Sequence, residues 1–110
     1  MDITRREATF ALLDRWLAAY NAHDAEGCAA CYSEDATLWD EGWNEKHVGR
    51  DAIREHYARE FRASPDITST VRGVYESPEA IATEYVVRGT HDGTWRGLPA
   101  TGNRCECTAW

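Results

Sequence analysis

Glu84-Tyr-Val-Val-Arg-Gly-Thr-His-Asp-Gly-Thr-Trp-Arg-Gly-Leu-Pro-Ala-Thr-Gly102 decides the fold, because its first half reads as a strand and its second half cannot be one. From Ile81 onward, Ile81, Thr83, Tyr85, Val87, Gly89 and His91 fall on one face at period two, and Ala82, Glu84, Val86, Arg88 and Thr90 on the other. The first set is mainly apolar and ends in an imidazole, while the second carries both charges. This pattern predicts a half-buried strand that delivers His91 to the rim of whatever its apolar face encloses. Gly89 removes a side chain there, which in a strand marks a bulge or a close approach of backbone or ligand. Asp92-Gly93 breaks the strand, and Gly97, Pro99 and Gly102 hold an irregular connection before a last strand.

Working outward, Ser77-Pro-Glu79 makes the turn into this strand, and Ile67 to Tyr75 is a β-branched-rich strand before it. Ser64-Pro65 stops a helix that starts at Gly49-Arg50-Asp51 and carries Ile53, Tyr57 and Phe61 at i, i+4 and i+8. His56 lies beside that stripe and reads as a surface or satisfied histidine. Ala36 to Asp40 reads as a strand with Leu38 and Asp40 on one face, and Glu41 to Gly49 as a polar loop whose Trp43 makes it a candidate lid. Asp24 caps a short helix running to about Tyr32. Thr4-x-x-Glu7 has the form of a capping box opening the first helix, in which Phe10, Leu13, Leu17 and Tyr20 recur at helical spacing and Trp16 widens the stripe. Trp16 reads first as core, with an indole N–H that is a usable donor toward a ligand. Helices leading antiparallel strands predict an α+β fold in a single domain, residues 1–110.

Composition excludes several classes of partner. The net charge of −7, with the basic residues scattered and nearly all Arg, argues against nucleic acid and against an anionic membrane surface. No run reaches the roughly 18 apolar residues of a membrane span. The start, Met-Asp-Ile-Thr-Arg-Arg-Glu, leads into an amphipathic pattern rather than an apolar signal core, so a cytoplasmic protein is expected. Cys28-x-x-Cys31 and Cys105-x-Cys107 would each place two sulfurs on one face. Core packing as small hydrophobes is the expected role; a four-thiolate zinc site or a disulfide is the alternative.

The stretch Gly89-Thr90-His91-x-Gly93, followed by Gly97-x-Pro99-x-Thr101-Gly102, resembles the signature of SnoaL-like polyketide cyclases, within the NTF2-like superfamily. Gly49-Arg-Asp-Ala-Ile-Arg54 and Phe61-x-x-x-Pro65-Asp66 resemble the same family, so the likeness covers most of the chain. It implies a cystatin-like α+β cone, three helices packed on a curved antiparallel sheet around a conical pocket. Asp35-Ala-Thr-Leu-Trp-Asp40 resembles the segment of the related ketosteroid isomerases that ends in their catalytic base, and Asp40 matches that base. Without the resemblance, Asp40 reads equally as a solvated aspartate opening the turn Asp40-Glu-Gly42. Trp16 stands where the isomerases carry their oxyanion tyrosine, and Glu106 is the only acid on the strand where the cyclases carry theirs. Related chains continue past Pro-x-Thr-Gly with two more strands, whereas Asn103 to Trp110 supplies one. A homodimer that covers the open edge is therefore expected.

No Gly-rich phosphate loop, Gly-x-Ser-x-Gly elbow, His-Glu-x-x-His or EF-hand pattern is present, so neither cofactor nor metal is expected. What remains is an apolar pocket with one carboxylate and one histidine aimed inward. Asp40 and His91 are the candidate catalytic pair for proton transfer alpha to a carbonyl. Trp16, Tyr20, Leu38, Trp43, Tyr57, Phe61, Tyr85 and Trp95 are the candidate contacts to a small apolar, polyketide- or steroid-like substrate. A non-catalytic pocket that binds such a ligand is the alternative reading.

Overall fold

The computed structural model describes residues 3–109. The order is α1 (Ile3–Asn21), α2 (Ala25–Ala30), β1 (Thr37–Asp40), a 3-10 turn (Glu41–Trp43), β2 (Glu45–Val48), α3 (Arg50–Ala63), β3 (Thr68–Glu76), β4 (Ile81–Thr90) and β5 (Arg104–Ala109). The fold is α+β, with three helices and antiparallel strands. β4 is the middle strand of the sheet β3-β4-β5, as its alternation requires. Val71 pairs with Tyr85, Val87 with Cys107 and Gly89 with Cys105. The row led by Tyr85 and Val87 therefore continues onto both neighbours. The register shifts between Val71 and Gly73, an extra residue that bends β3.

Three expectations are corrected. Glu41 to Gly49 is not a loop: β2 returns antiparallel on β1, with Trp39 opposite Lys46 and Asp40 opposite Glu45. Asn44 makes the return possible by taking φ 51°, a left-handed conformation that asparagine tolerates. Glu-Lys-His-Val has no apolar face, so alternation alone could not reveal the strand. This hairpin is a sheet of its own, so the strands form two sheets rather than one. The third correction concerns the first helix, which is already under way at Ile3, so Thr4 cannot be its N-cap. Asp24 does cap α2, accepting from the Gly27 N–H at 3.0 Å.

The core lies among the helices. Ile53 and Cys28 are wholly buried, and Tyr20, Ala29, Tyr57, Phe61 and Ile67 complete the cluster. The inner face of the sheet is left to line a cavity instead. Cysteine as a small hydrophobe holds for Cys28 but not for Cys105 and Cys107, which are exposed on β5; all four thiols are free. Val86, on the opposite face of β4 from Tyr85, is also buried.

The end of α1 is fixed to the edge of β3 by one side chain. Asn21 donates from Nδ2 to the Ser69 carbonyl (3.1 Å) and accepts at Oδ1 from the Ser69 N–H (2.7 Å), as a neighbouring strand would. Because Ser69 is buried, Asn21→Ala leaves its N–H without a partner. We expect a loss of about 1–3 kcal/mol, read as a lower urea midpoint at unchanged m-value.

Candidate functional site

His91 owes its position to an acid outside the cavity. Asp66, in the turn between α3 and β3, accepts from the Thr90 N–H and the Thr90 hydroxyl, both at 2.7 Å. These bonds hold the Asp66 carboxyl below the usual aspartate range and fix the end of β4. Beyond it, His91 donates its N–H to the Asn103 carbonyl and its carbonyl accepts from Gly102, each at 2.9 Å, which closes the segment 92–102 into a strap. Within the strap Trp95 and Leu98 pair across Arg96 and Gly97, both at positive φ (51° and 82°), as a two-residue hairpin turn requires. His91 Nδ1 lies 3.0 Å from the Thr101 hydroxyl, while Nε2 is buried with no partner among the described residues.

The strap is clasped to the β1–β2 hairpin. Arg96 makes a bidentate pair with Glu45, one contact at 3.0 Å, and Arg59 of α3 reaches the same carboxylate at 2.9 Å. The Arg96 guanidinium also lies 4.1 Å from the Trp43 ring centroid and 4.7 Å from that of Trp95. Hydrogen bonds from Arg96 and then Arg59 hold Glu45 at about 2. Both arginines are thereby engaged at the mouth, and neither lines the cavity.

That cavity has a volume of about 1490 Å³, above the roughly 300–1,000 Å³ usual for small-molecule sites. Both faces that the sequence singled out open onto it: Leu38 and Asp40 from β1, and Ile81, Thr83, Tyr85, Val87, Gly89 and His91 from β4 and its end. Trp16, Tyr20 and Tyr57 line it from the helices, with the exposed Trp43 and the half-buried Trp95 at its rim. Phe61, expected as a substrate contact, does not line it. It lies one layer behind, edge-on to Tyr20 at 5.3 Å. The Trp16 indole N–H, expected as a donor to a ligand, is engaged by the Tyr57 hydroxyl at 2.9 Å, which in turn lies 2.6 Å from the Tyr32 hydroxyl. Burial raises the tyrosine pKa at positions 20, 57 and 85, the last to about 12.

Asp40 begins the 3-10 turn but makes no capping bond, and among the described residues no hydrogen bond or ion pair engages its carboxylate. Sequence reading missed a second acid. Glu60 lines the same cavity, and its Oε1 accepts from the Tyr20 hydroxyl at 2.5 Å. Burial raises its pKa and the nearby charge of Asp40 raises it further, against the lowering effect of the Tyr20 bond. Its Oε2 faces His56 Nε2 at 4.0 Å. His56 is not a surface histidine: its side chain is 9% exposed, its ring lies 4.5 Å from that of His47 at a tilt of 40°, and Nδ1 has no partner among the described residues. Burial, with the His47 charge next, pushes it down to about 4, so it stands neutral beside Glu60 at neutral pH. Among the described residues the lining includes no Lys or Arg. The signal for Glu60 in the sequence was only its place three residues after Tyr57 and one before Phe61.

The family model for the SnoaL-like domain matches residues 13–110. The chain belongs to the SnoaL-like family. Similar solved structures include AclR of Streptomyces galilaeus, a candidate hydroxylase, at 23% identity over 97% of this chain and 76% of that one, with a TM-score of 0.76. IdmH of Streptomyces antibioticus, a candidate polyketide cyclase, matches at 24% identity over 89% and 76%, with a TM-score of 0.68. A protein of ketosteroid isomerase-like fold from Catenulispora acidiphila, solved with trimethylamine, matches at 18% identity over 88% and 69%, with a TM-score of 0.76. At these identities the likeness speaks for the SnoaL-like fold, and chemistry has to be argued from the cavity. Among the described residues no helix is long and apolar enough to cross a membrane, and no group of three or more His, Cys, Asp or Glu is placed to hold a metal ion.

Proposed function

We propose that this SnoaL-like chain moves a proton alpha to the carbonyl of a small, largely apolar compound of polyketide or steroid type, as a cyclase or isomerase does. The observation that supports this best is the Asp40 carboxylate, engaged by neither cation nor donor among the described residues, on the wall of an aromatic cavity that His91 also lines. A carboxylate left free of hydrogen bonds on the cavity wall has a lone pair available to accept the substrate's α-proton. His91 has a ring nitrogen without a partner among the described residues, and its other nitrogen is oriented by Thr101. It is suited to donate toward an oxygen on which negative charge develops. The aromatic walls offer the apolar skeleton its contact surface.

The test needs no knowledge of the natural substrate. 2-Tetralone is a bicyclic apolar ketone with acidic α-protons, and their replacement by deuterium in D₂O is followed by proton NMR. The protein should accelerate this exchange over buffer by about 10²-fold or more, the usual range of general acid–base catalysis. Binding of 2-tetralone, seen as quenching of tryptophan fluorescence, with no acceleration would leave a cavity that holds a ligand without turning it over.

A further inference from the structure

We propose that Glu60 is a third catalytic residue beside Asp40 and His91, the acid that hydrogen-bonds and protonates the substrate's carbonyl oxygen while Asp40 removes the α-proton. This rests on the proton-transfer reading above. Two carboxyl groups share one largely apolar cavity, and among the described residues no Lys or Arg lines it to neutralise them. Ionising both would bury like charges without a counter-ion, so one keeps its proton. The geometry identifies which. Asp40 comes from a strand end next to the exposed rim, whereas Glu60 sits on α3 against the buried Tyr20. The groups around Glu60 offer little to hold it ionised. From α1 it has the Tyr20 hydroxyl; from α2, Cys28; from β1, the Asp40 carboxylate; from β4, Tyr85; and from β5, Cys107. Tyr32 feels its charge as well. On α3 itself, His56 is neutral, and Arg59, although turned to Glu45 of β2, is a charge that works toward the carboxylate against the burial that opposes it. Because Tyr20 engages Oε1, the proton belongs on Oε2, which has no hydrogen bond among the described residues.

The step balances without a co-reactant. The Asp40 carboxylate takes the α-proton, the C–H electron pair becomes the enol double bond, and the carbonyl π pair moves onto oxygen. That oxygen takes the proton from Glu60 Oε2, leaving an enol, a protonated Asp40 and a Glu60 carboxylate. Return of a proton or deuteron to carbon from Asp40, and of the enol proton to Glu60, restores both groups.

The experiment follows 2-tetralone exchange against pH in the wild type, Glu60→Gln, Tyr20→Phe, Asp40→Asn and His91→Ala. The wild-type rate should fall on the alkaline side as Glu60 loses its proton, with a midpoint above the ordinary glutamate value of 4.5. Glu60→Gln should cost about 10²-fold and remove this alkaline limb, which His91→Ala should retain. Tyr20→Phe deletes a bond that favours the Glu60 carboxylate, so the limb should move to higher pH. A purely structural role for Glu60 would not produce that shift. Independently of turnover and of any variant, the side-chain carboxyl carbon-13 resonance of Glu60 in the wild type should titrate above 4.5. A Glu60→Gln protein with wild-type rate and limb, or a Glu60 resonance titrating at the ordinary value, overturns the proposal. If Asp40→Asn abolishes exchange and Glu60→Gln does not, only the Glu60 assignment fails. If Asp40→Asn has no effect, the proton-transfer reading itself fails, and a wild type without acceleration defeats both.

Discussion

Asp40→Asn should lower the rate of 2-tetralone exchange by about 10²–10⁴-fold while changing the affinity for 2-tetralone little. Asparagine keeps the size and shape of the side chain at the end of β1, so the rim formed by Trp39, the 3-10 turn and Trp43 should not move. What it loses is the lone pair that accepts the proton. Asp40 makes no capping bond and no ion pair among the described residues, so no fold-stabilising contact is lost with its charge. A loss of rate therefore cannot be mistaken for a loss of structure. The substitution has a second consequence that checks the same geometry. The Asp40 charge raises the Glu60 pKa; with the charge gone, Glu60 ionises more readily, so its carbon-13 titration should shift to lower pH. An exchange rate unchanged in Asp40→Asn would remove the base from the mechanism.

The fold was legible where one face was apolar and the other not. β4 was readable because Tyr85 and Val87 alternate with Glu84 and Arg88, and α3 because Ile53, Tyr57 and Phe61 recur at helical spacing next to Ser64-Pro65. β2 was not, since Glu45, Lys46 and His47 give no apolar period. Glu45 also has a task that only tertiary structure reveals, receiving both Arg59 and Arg96. The separation of the strands into two sheets was equally hidden, because pairing between distant strands leaves no local trace.

The candidate site was legible in its strand-borne half. Period two carried Leu38 and Asp40, and Tyr85 and His91, onto one cavity. The helix-borne half was obscured because a helix stripe does not distinguish the residues that face a cavity from those that fill a core. Phe61 and Tyr57 belong to one stripe, yet Tyr57 lines the cavity and Phe61 packs behind it. Glu60, at the edge of that stripe, reads as a solvated acid until Tyr20 is seen to cover it. His56 was misread for the same reason, since the hairpin that brings His47 against it was itself unseen.

Gly93→Ala should destabilise the protein by about 2–5 kcal/mol, through overpacking and lost hydrogen bonds together. A Cβ built on Gly93 would lie 2.1 Å from the Arg62 carbonyl oxygen and 3.0 Å from its carbon, and these are backbone atoms at the end of α3 that cannot rotate aside. The Gly93 and Asp92 N–H groups both reach the Ala63 carbonyl at 3.0 Å, satisfying an acceptor that the last turn of a helix leaves open. Relief of the clash would pull the strap off α3 and break both bonds. The glycine in the Gly-Thr-His-x-Gly motif is thus required by the approach of a helix end, with no positive φ involved. Gly97 provides the contrast. It takes φ 82° with no atom within 4 Å of a built Cβ, so Gly97→Ala meets only backbone strain, about 1–2 kcal/mol. Urea midpoints for the two variants should differ in that order. Because the strap is closed at its base by His91 and Asn103, Gly93→Ala should also slow 2-tetralone exchange, whereas Gly97→Ala should leave the position of His91 unchanged. Equal midpoints would mean that the strap does not depend on its contact with α3.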